Sequence, residues 1–266
     1  MNCGRDNMTG IPALVFTCNI CGRQIDSFTL NDLERETGAC PHCKAHVRLR
    51  ALAYLVGKAL FDQALPVHQW PMRPELRGLG VSDWPDFAKI YSPKFSYVNT
   101  QFDRELFVSG TFLDVTKPGR EFIGAFEVIS CSEVLEHVEP PVQPAFDGLY
   151  SMLKPGGSLV FTVPYGFRKT IEHFPELHEW KLVPFGAKRK LINVTIDGRR
   201  QEFNDLCFHG GGESVLEMRL FGLDDLKNRL RKAGFVNICV MDENVLEFGI
   251  YWPQPWSRPI TAKRPS

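Results

Sequence analysis

Residues 129–165 read ISCSEVLEHVEPPVQPAFDGLYSMLKPGGSLVFTVPY. The stretch begins inside FEVISCS (126–132), a short run that suits a strand buried on both faces. A helical segment near 143–153 follows, ending at Lys154-Pro155-Gly156-Gly157, a break that hands the chain straight to a second strand at Ser158–Val163. Strand, helix and strand in this order form the unit of a parallel sheet. Working outward, the same alternation holds from about residue 74: LRGLGV, then the helical WPDFAKIY, FSYVNT and TFLDVT before it, and GLDDLKNRLRKAGF and VNICVMDE well after it. The helix over 222–234 carries Asp224 and Asp225 in its first turn, Arg231 and Lys232 late, and Gly234 as a stop, in line with the helix dipole and a left-handed cap. The fold expected is α/β, with ligands at the carboxyl ends of the strands near the point where strand order reverses.

Composition agrees with a globular chain. Of 266 residues 44% are hydrophobic and 23% charged, which argues against disorder, collagen and coiled coil. Lys+Arg 31 against Asp+Glu 31 cancel, removing the global positive field that binds nucleic acid in bulk, so any polyanion site is local. No apolar run approaches the roughly 18–20 residues of a membrane span, and MNCGRDNMTGIP lacks the pattern of a secretory signal, so a soluble cytoplasmic protein is expected.

In a reducing compartment clustered thiols point to metal more than to disulfides. Cys18, Cys21, Cys40 and Cys43 form CNIC and CPHC separated by a longer loop, the spacing of a four-thiolate zinc ribbon with a closed, structural Zn²⁺. Four free thiols, two disulfides, or His42 in place of one sulfur are the alternatives. Cys3, Cys131, Cys207 and Cys239 have no partner at ligand spacing. The next segment places Val47, Ala51, Leu55 and Ala59 at helical intervals, with Arg48, Arg50 and Lys58 read as a solvated face or, alternatively, as contacts to an anion.

The 129–165 segment resembles the fourth strand, helix and fifth strand of class I S-adenosylmethionine-dependent methyltransferases, in which EVLEH closes one strand and LKPGG precedes the next. The resemblance implies a Rossmann-like sheet and S-adenosyl-L-methionine as cofactor. Its glycine-rich loop would be Gly78-Leu79-Gly80-Val81-Ser82-Asp83, which departs from the usual three glycines. On this basis Gly78 and Gly80 would let the backbone approach the ligand, and Asp83 would meet the methionine ammonium beside a Trp84 wall. Asp103, or Asn99 or Thr100, would hold the ribose. Asp114, with the Val115 backbone, would face the adenine, and Ser132 and Glu133 would lie where cofactor and acceptor meet. A plain turn and surface carboxylates are the alternatives.

Methyl transfer to a hydroxyl profits from a base. His137, four residues after Glu133, would share a helical face with it, or would only brace the loop; His209 in FHGGGES is the second candidate. Residues 165–210 form an insertion expected to cover the acceptor, with a hairpin around Asp197-Gly198. Within 181–200 stand six basic residues, Lys181, Lys188, Arg189, Lys190, Arg199 and Arg200, against Asp197, which suits an acidic or phosphate-bearing acceptor or, alternatively, keeps the hairpin soluble.

The order of these motifs resembles bacterial methyltransferases of cell-surface glycan pathways, implying O-methylation of a small molecule or glycan. The other readings are a zinc-ribbon RNA methyltransferase, disfavoured by the neutral charge, and a non-catalytic zinc-stabilised binding protein. The organisation expected is a ribbon over 1–45, a linking helix over 46–73, a cofactor domain over 74–164 and 211–252, the insertion over 165–210 and a tail over 253–266.

Overall fold

The computed structural model describes residues 14–102, 111–209 and 215–266, with His209 described in its backbone alone. The chain divides into two compact units, Met1–Pro71 with Asp242–Pro255, and Met72–Met241 with Trp256–Ser266.

In the first unit, β1 (Leu14–Thr17) and β2 (Gln24–Phe28) pair antiparallel, and α1 (Val47–Phe61) follows. Residues 49–57 of α1 are buried without interruption, so this helix is a core element of its unit. Gly57 leaves room for the Trp70 indole, which a Cβ there would meet at 2.9 Å.

The second unit is built on β3 (Arg73–Val81), α2 (Asp86–Tyr91), β4 (Phe95–Gln101), β5 (Thr111–Phe112), β6 (Phe126–Ser132), α3 (Gln143–Met152) and β7 (Leu153–Thr162). The insertion supplies short strands β8 (Tyr165–Gly166) and β9 (Ile171–Glu172), then β10 (Glu179–Phe185), β11 (Lys188–Val194), β12 (Arg200–Phe203), β13 (Phe208–His209) and β14 (Val215–Leu216). The chain returns through β15 (Arg219–Gly222), α4 (Leu223–Ala233), β16 (Val236–Val240) and β17 (Ile260–Lys263).

The central sheet has the order β5-β4-β3-β6-β7-β17-β16. Pairs from β5 to β7 are parallel, and β17 runs antiparallel to both of its neighbours. Order reverses between β3 and β6, which places the switch point at the carboxyl ends of Val81 and Ser132. Parallel strands must be covered on both faces, and the apolar residues Leu79, Ile129, Leu159 and Phe161 are fully buried. On α3, Ala145, Phe146, Leu149 and Met152 form the stripe that packs into the same core.

The expected tail over 253–266 is corrected by β17. Ile260 and Ala262 are buried opposite Phe161 and Leu159, but four alternating residues just after Pro259 are too short a signal to read as a strand. In the insertion, β10, β11 and β12 form a separate antiparallel sheet over a small core of Phe174, Leu191, Leu216 and Met218. The Asp197-Gly198 turn forms as expected, with the left-handed conformation taken by Gly198 (φ 82°). No described helix is long and apolar enough to cross a membrane.

Candidate active site and metal centre

Two equivalent knuckles carry the four cysteines. In the first, Gly22 N–H donates to Cys18 O at 2.8 Å and Cys18 N–H to Arg23 O at 2.9 Å, with Gly22 left-handed at φ 72°. In the second, Lys44 N–H donates to Cys40 O at 2.8 Å and Cys40 N–H to Ala45 O at 2.9 Å, and Lys44 takes the left-handed position at φ 65°. The sulfurs of Cys18 and Cys43 lie 3.7 Å apart, as do those of Cys21 and Cys40, and all four fall within 4.8 Å of one another. These separations are far beyond a disulfide of about 2.05 Å. They match the roughly 3.8 Å edge of a tetrahedron with metal–sulfur bonds of about 2.3 Å. The donor set therefore fits one tetrahedral metal ion. A hydrogen bond from the Cys43 thiol draws the Cys18 thiol down to about 5. Among the other cysteines, Cys131 is buried, Cys207 and Cys239 are exposed, and Cys3 lies outside the described residues.

Arg50 departs from the solvated face expected of it. Its side chain is fully buried, donating from Nη1 to Gly38 O (2.9 Å) and Ala45 O (2.6 Å) and from Nη2 to Gly249 O (2.7 Å). A helical wheel counts an arginine as surface; the three carbonyls hold this one inward. Arg48 keeps a partly open position and pairs with Glu36.

At the switch point, the structure corrects the glycine loop. Gly78 and Gly80 are not in a loop but inside β3, opposite Tyr97 and Asn99 on one side and Val128 and Ser130 on the other. A Cβ on Gly78 would meet the Phe95 ring at 2.4 Å, and one on Gly80 the Tyr97 hydroxyl at 2.1 Å. The glycines thus make room for aromatic side chains of β4. The left-handed residue at the strand's end is Ser82, at φ 49°. Asp83 follows, buried, with Oδ2 accepting from the Tyr97 hydroxyl (3.1 Å) and Oδ1 from Trp84 N–H (3.2 Å). Burial, and then the Asp83 charge, push the Tyr97 phenol well above its ordinary value, so it stays a donor. Asn99 is committed to the same turn: its Oδ1 accepts from Asp83 N–H and its Nδ2 donates to Asp83 O. Thr100 donates to Gly80 O. Asp103 lies outside the described residues.

Asp114 follows β5 and accepts from Thr116 N–H and Oγ1 at 2.8 and 2.6 Å, an Asx turn that fixes its carboxylate. The Val115 carbonyl rests directly on Gly148 of α3. At the end of β6 the Ser132 and Thr162 hydroxyls are 3.1 Å apart, and Glu133, at φ 56°, donates its N–H to Thr162 O. Asp83, Asp114 and Glu133 thus stand where three strands of the sheet end, and residues 81–84, 113–116, 132–136 and 162–165 include no lysine or arginine. Such a lining suits a cationic ligand.

Glu133 and His137 do not share a helical face, as Glu133 is left-handed and Leu135–His137 forms a single 3₁₀ turn. His137 Nδ1 is 2.9 Å from Leu216 O and so donates its proton there, while Nε2 lies 3.7 Å from the carboxylate of fully buried Glu136. Fully buried Arg219 holds this turn, donating from Nη1 to Leu135 O (2.9 Å) and Val138 O (2.5 Å), and from Nε to both Glu172 oxygens. Next to Glu172, His173 Nε2 lies 2.9 Å from Glu217 Oε1. Arg219 and the His173–Glu217 pair are not among the expected site residues; their signal in the sequence is two charges at alternate positions in the otherwise apolar VLEMRLFG (215–222). His209 lies in β13 opposite Val215.

The insertion is tied to the turn after β6 by Trp180 Nε1 donating to Glu139 at 3.1 Å. A cavity of about 600 Å³ opens there, lined by Pro140, Pro141, Leu177, Ile196, Asp197 and Arg199 among others, a size that accommodates a small ligand. Of the six basic residues in 181–200, Arg199 pairs with Glu176 and Asp197, and Lys190 and Arg200 with Glu202. Lys181, Lys188 and Arg189 make no ion pair among the described residues.

Together these features define a Rossmann-like methyltransferase with a mixed central sheet. Residues 81–240 match the model of the methyltransferase domain family, and the chain belongs to that family. It is an S-adenosylmethionine-dependent methyltransferase. Similar solved structures include an S-adenosylmethionine-dependent methyltransferase from Clostridium acetobutylicum, at 11% identity and a TM-score of 0.47 over 81% of this chain and 91% of that one. Another is its counterpart from Mesorhizobium loti, at 15% and 0.45 over 80% and 98%. A third is the sugar N-methyltransferase KedS8 from a Streptoalloteichus species, at 13% and 0.43 over 72% and 81%. No curated protein matches the chain.

Proposed function

We propose that this enzyme methylates a hydroxyl of a small molecule or glycan, with the cofactor across the carboxyl ends of β3, β5 and β6 and the acceptor beneath the insertion. The observation that carries this reading is the set of carboxylates at adjoining strand ends, Asp83, Asp114 and Glu133, with His137 on the turn that follows. When bound, S-adenosyl-L-methionine supplies a methyl group on a sulfonium. Asp83 faces the methionine ammonium, and the left-handed Ser82 opens the backbone where a glycine commonly stands. Asp103, or Asn99 or Thr100, holds the ribose, the last two being bonded to Asp83 and Gly80 at the end of β3. Asp114 and the Val115 backbone hold the adenine, and Ser132 shapes the methionine end.

His137 Nε2 takes the acceptor's proton, with His209 as the second candidate. Lys181, Lys188 and Arg189 leave positive charge on the β10–β11 hairpin, suited to an acidic or phosphate-bearing acceptor. The four cysteines hold a structural Zn²⁺, as their spacing and closed tetrahedral arrangement favour. Cysteines that form no disulfide among the described residues suit a reducing, cytoplasmic setting.

Calorimetric titration of the metal-loaded protein with S-adenosylhomocysteine tests the cofactor assignment: saturable binding is expected, and none would overturn it. Asp83→Asn keeps the shape but removes the charge, and should weaken S-adenosyl-L-methionine about tenfold to a hundredfold, the worth of a charge-assisted hydrogen bond. An unchanged affinity removes Asp83 from the site. With a methylated product identified from a panel of hydroxylated acceptors, His137→Gln should lower kcat by about 10²-fold or more while S-adenosylhomocysteine binds as before. If kcat holds, His137 is not the base.

A further inference from the structure

We infer that Arg50 is the built-in counter-ion of the cysteine cluster, a buried cation whose charge offsets a four-thiolate metal centre. The inference rests on the metal reading above. A divalent ion on four thiolates carries a net charge of −2, and burying it demands compensation from the protein.

Arg50 is the group placed to give it. Its side chain has no solvent exposure, and its guanidinium lies 5.1 Å above the centre of the Phe16 ring. Two of its hydrogen-bond acceptors bracket the second knuckle, Gly38 O before Cys40 and Ala45 O after Cys43; the third is Gly249 O. None of these is a carboxylate, and no carboxylate among the described residues pairs with it. Carbonyls solvate a cation without neutralising it. A buried arginine with no acid paired to it, bonded to carbonyls on both sides of the Cys40–Cys43 knuckle, makes sense when the sulfurs of that cluster are ionised. With thiols protonated, Arg50 would be an uncompensated buried charge, so cluster and cation favour the same metal-loaded state.

The direct test is metal affinity. The full chain is loaded with Zn²⁺, confirmed by elemental mass spectrometry, and titrated with a competing chelator; Co²⁺ in place of Zn²⁺ reports thiolate coordination through its charge-transfer absorption. Arg50→Met and Arg50→Gln should release Zn²⁺ at about 10- to 100-fold lower chelator concentration, the usual cost of removing a partner behind the ligands. Arg50→Lys, which keeps the charge but not the fork, should stay within about threefold of the parent, and Arg48→Gln, a neighbour bonded to Glu36, within about twofold.

Lysine as weak as glutamine would reduce Arg50 to a brace for carbonyls and overturn the inference, and so would neutral variants that hold Zn²⁺ like the parent. If Arg50→Met does not fold, the lysine and glutamine variants alone decide. A parent chain that takes up no stoichiometric Zn²⁺ and shows no Co²⁺ thiolate absorption overturns the metal reading itself, a result distinct from a loaded parent with indifferent variants.

Discussion

With the four cysteines holding the metal proposed above, chelating it, or replacing Cys40 with serine, is expected to abolish cooperative folding of the unit formed by Met1–Pro71 and Asp242–Pro255. The magnitudes decide this. Metal binding in small four-ligand sites contributes about 10–16 kcal/mol, as much as or more than the roughly 5–15 kcal/mol that stabilises a whole domain. Cys40 is fully buried, so a serine there loses a thiolate ligand and also buries a hydroxyl beside three sulfurs. Hydrogen exchange read peptide by peptide is the suitable measurement. Protection over residues 47–61 should collapse on chelation, while peptides from 126–162 keep theirs. If α1 stays as protected after metal removal as before, the cysteines do not hold that unit together.

The second large effect is expected from Gly148→Ala. In a helix interior this exchange ordinarily stabilises by about 1 kcal/mol. Here an added Cβ would stand 1.9 Å from the Val115 carbonyl oxygen, a backbone atom that no side-chain rotation can move. Either α3 shifts off the sheet or the Asp114-Val115 turn is pushed away, and we expect a net loss of about 2–3 kcal/mol in urea unfolding. Because that turn carries the proposed adenine contacts, S-adenosylhomocysteine affinity should fall along with stability. Gly166→Ala is the control: nothing lies within 4 Å of its Cβ position, and no change is expected there beyond about 0.5 kcal/mol. A Gly148→Ala protein as stable as the parent would mean that the helix and the turn do not meet as described.

What the sequence disclosed, and what it hid, follows from range. FEVISCS and the helix expected near 143–153 are local patterns that form where periodicity placed them, whereas Lys154-Pro155-Gly156-Gly157, expected as a break before the next strand, lies inside β7, which starts at Leu153 with an irregular register against β6. The cysteine knuckles are local too, since the two-residue spacing already fixes each edge of the cluster. By contrast, Gly78 and Gly80 are glycine because of Phe95 and Tyr97 on the neighbouring strand, a dependence visible only once β3 and β4 are paired in register. Arg50 turns inward because of partners on either side of it in sequence, one of them Gly249. His173 meets Glu217 across the whole insertion, so neither residue signals the other.

The placement of β17 bears on how the protein is made. This strand fills the gap between β7 and β16, so the sheet lacks one of its inner members until residue 263 has been synthesised. During translation, at about 5–20 residues per second, the nascent sheet must wait with the open edge of β7 exposed. Chains truncated before Ile260 should therefore keep that edge open and be the ones that chaperones hold, whereas chains that carry β17 should be released.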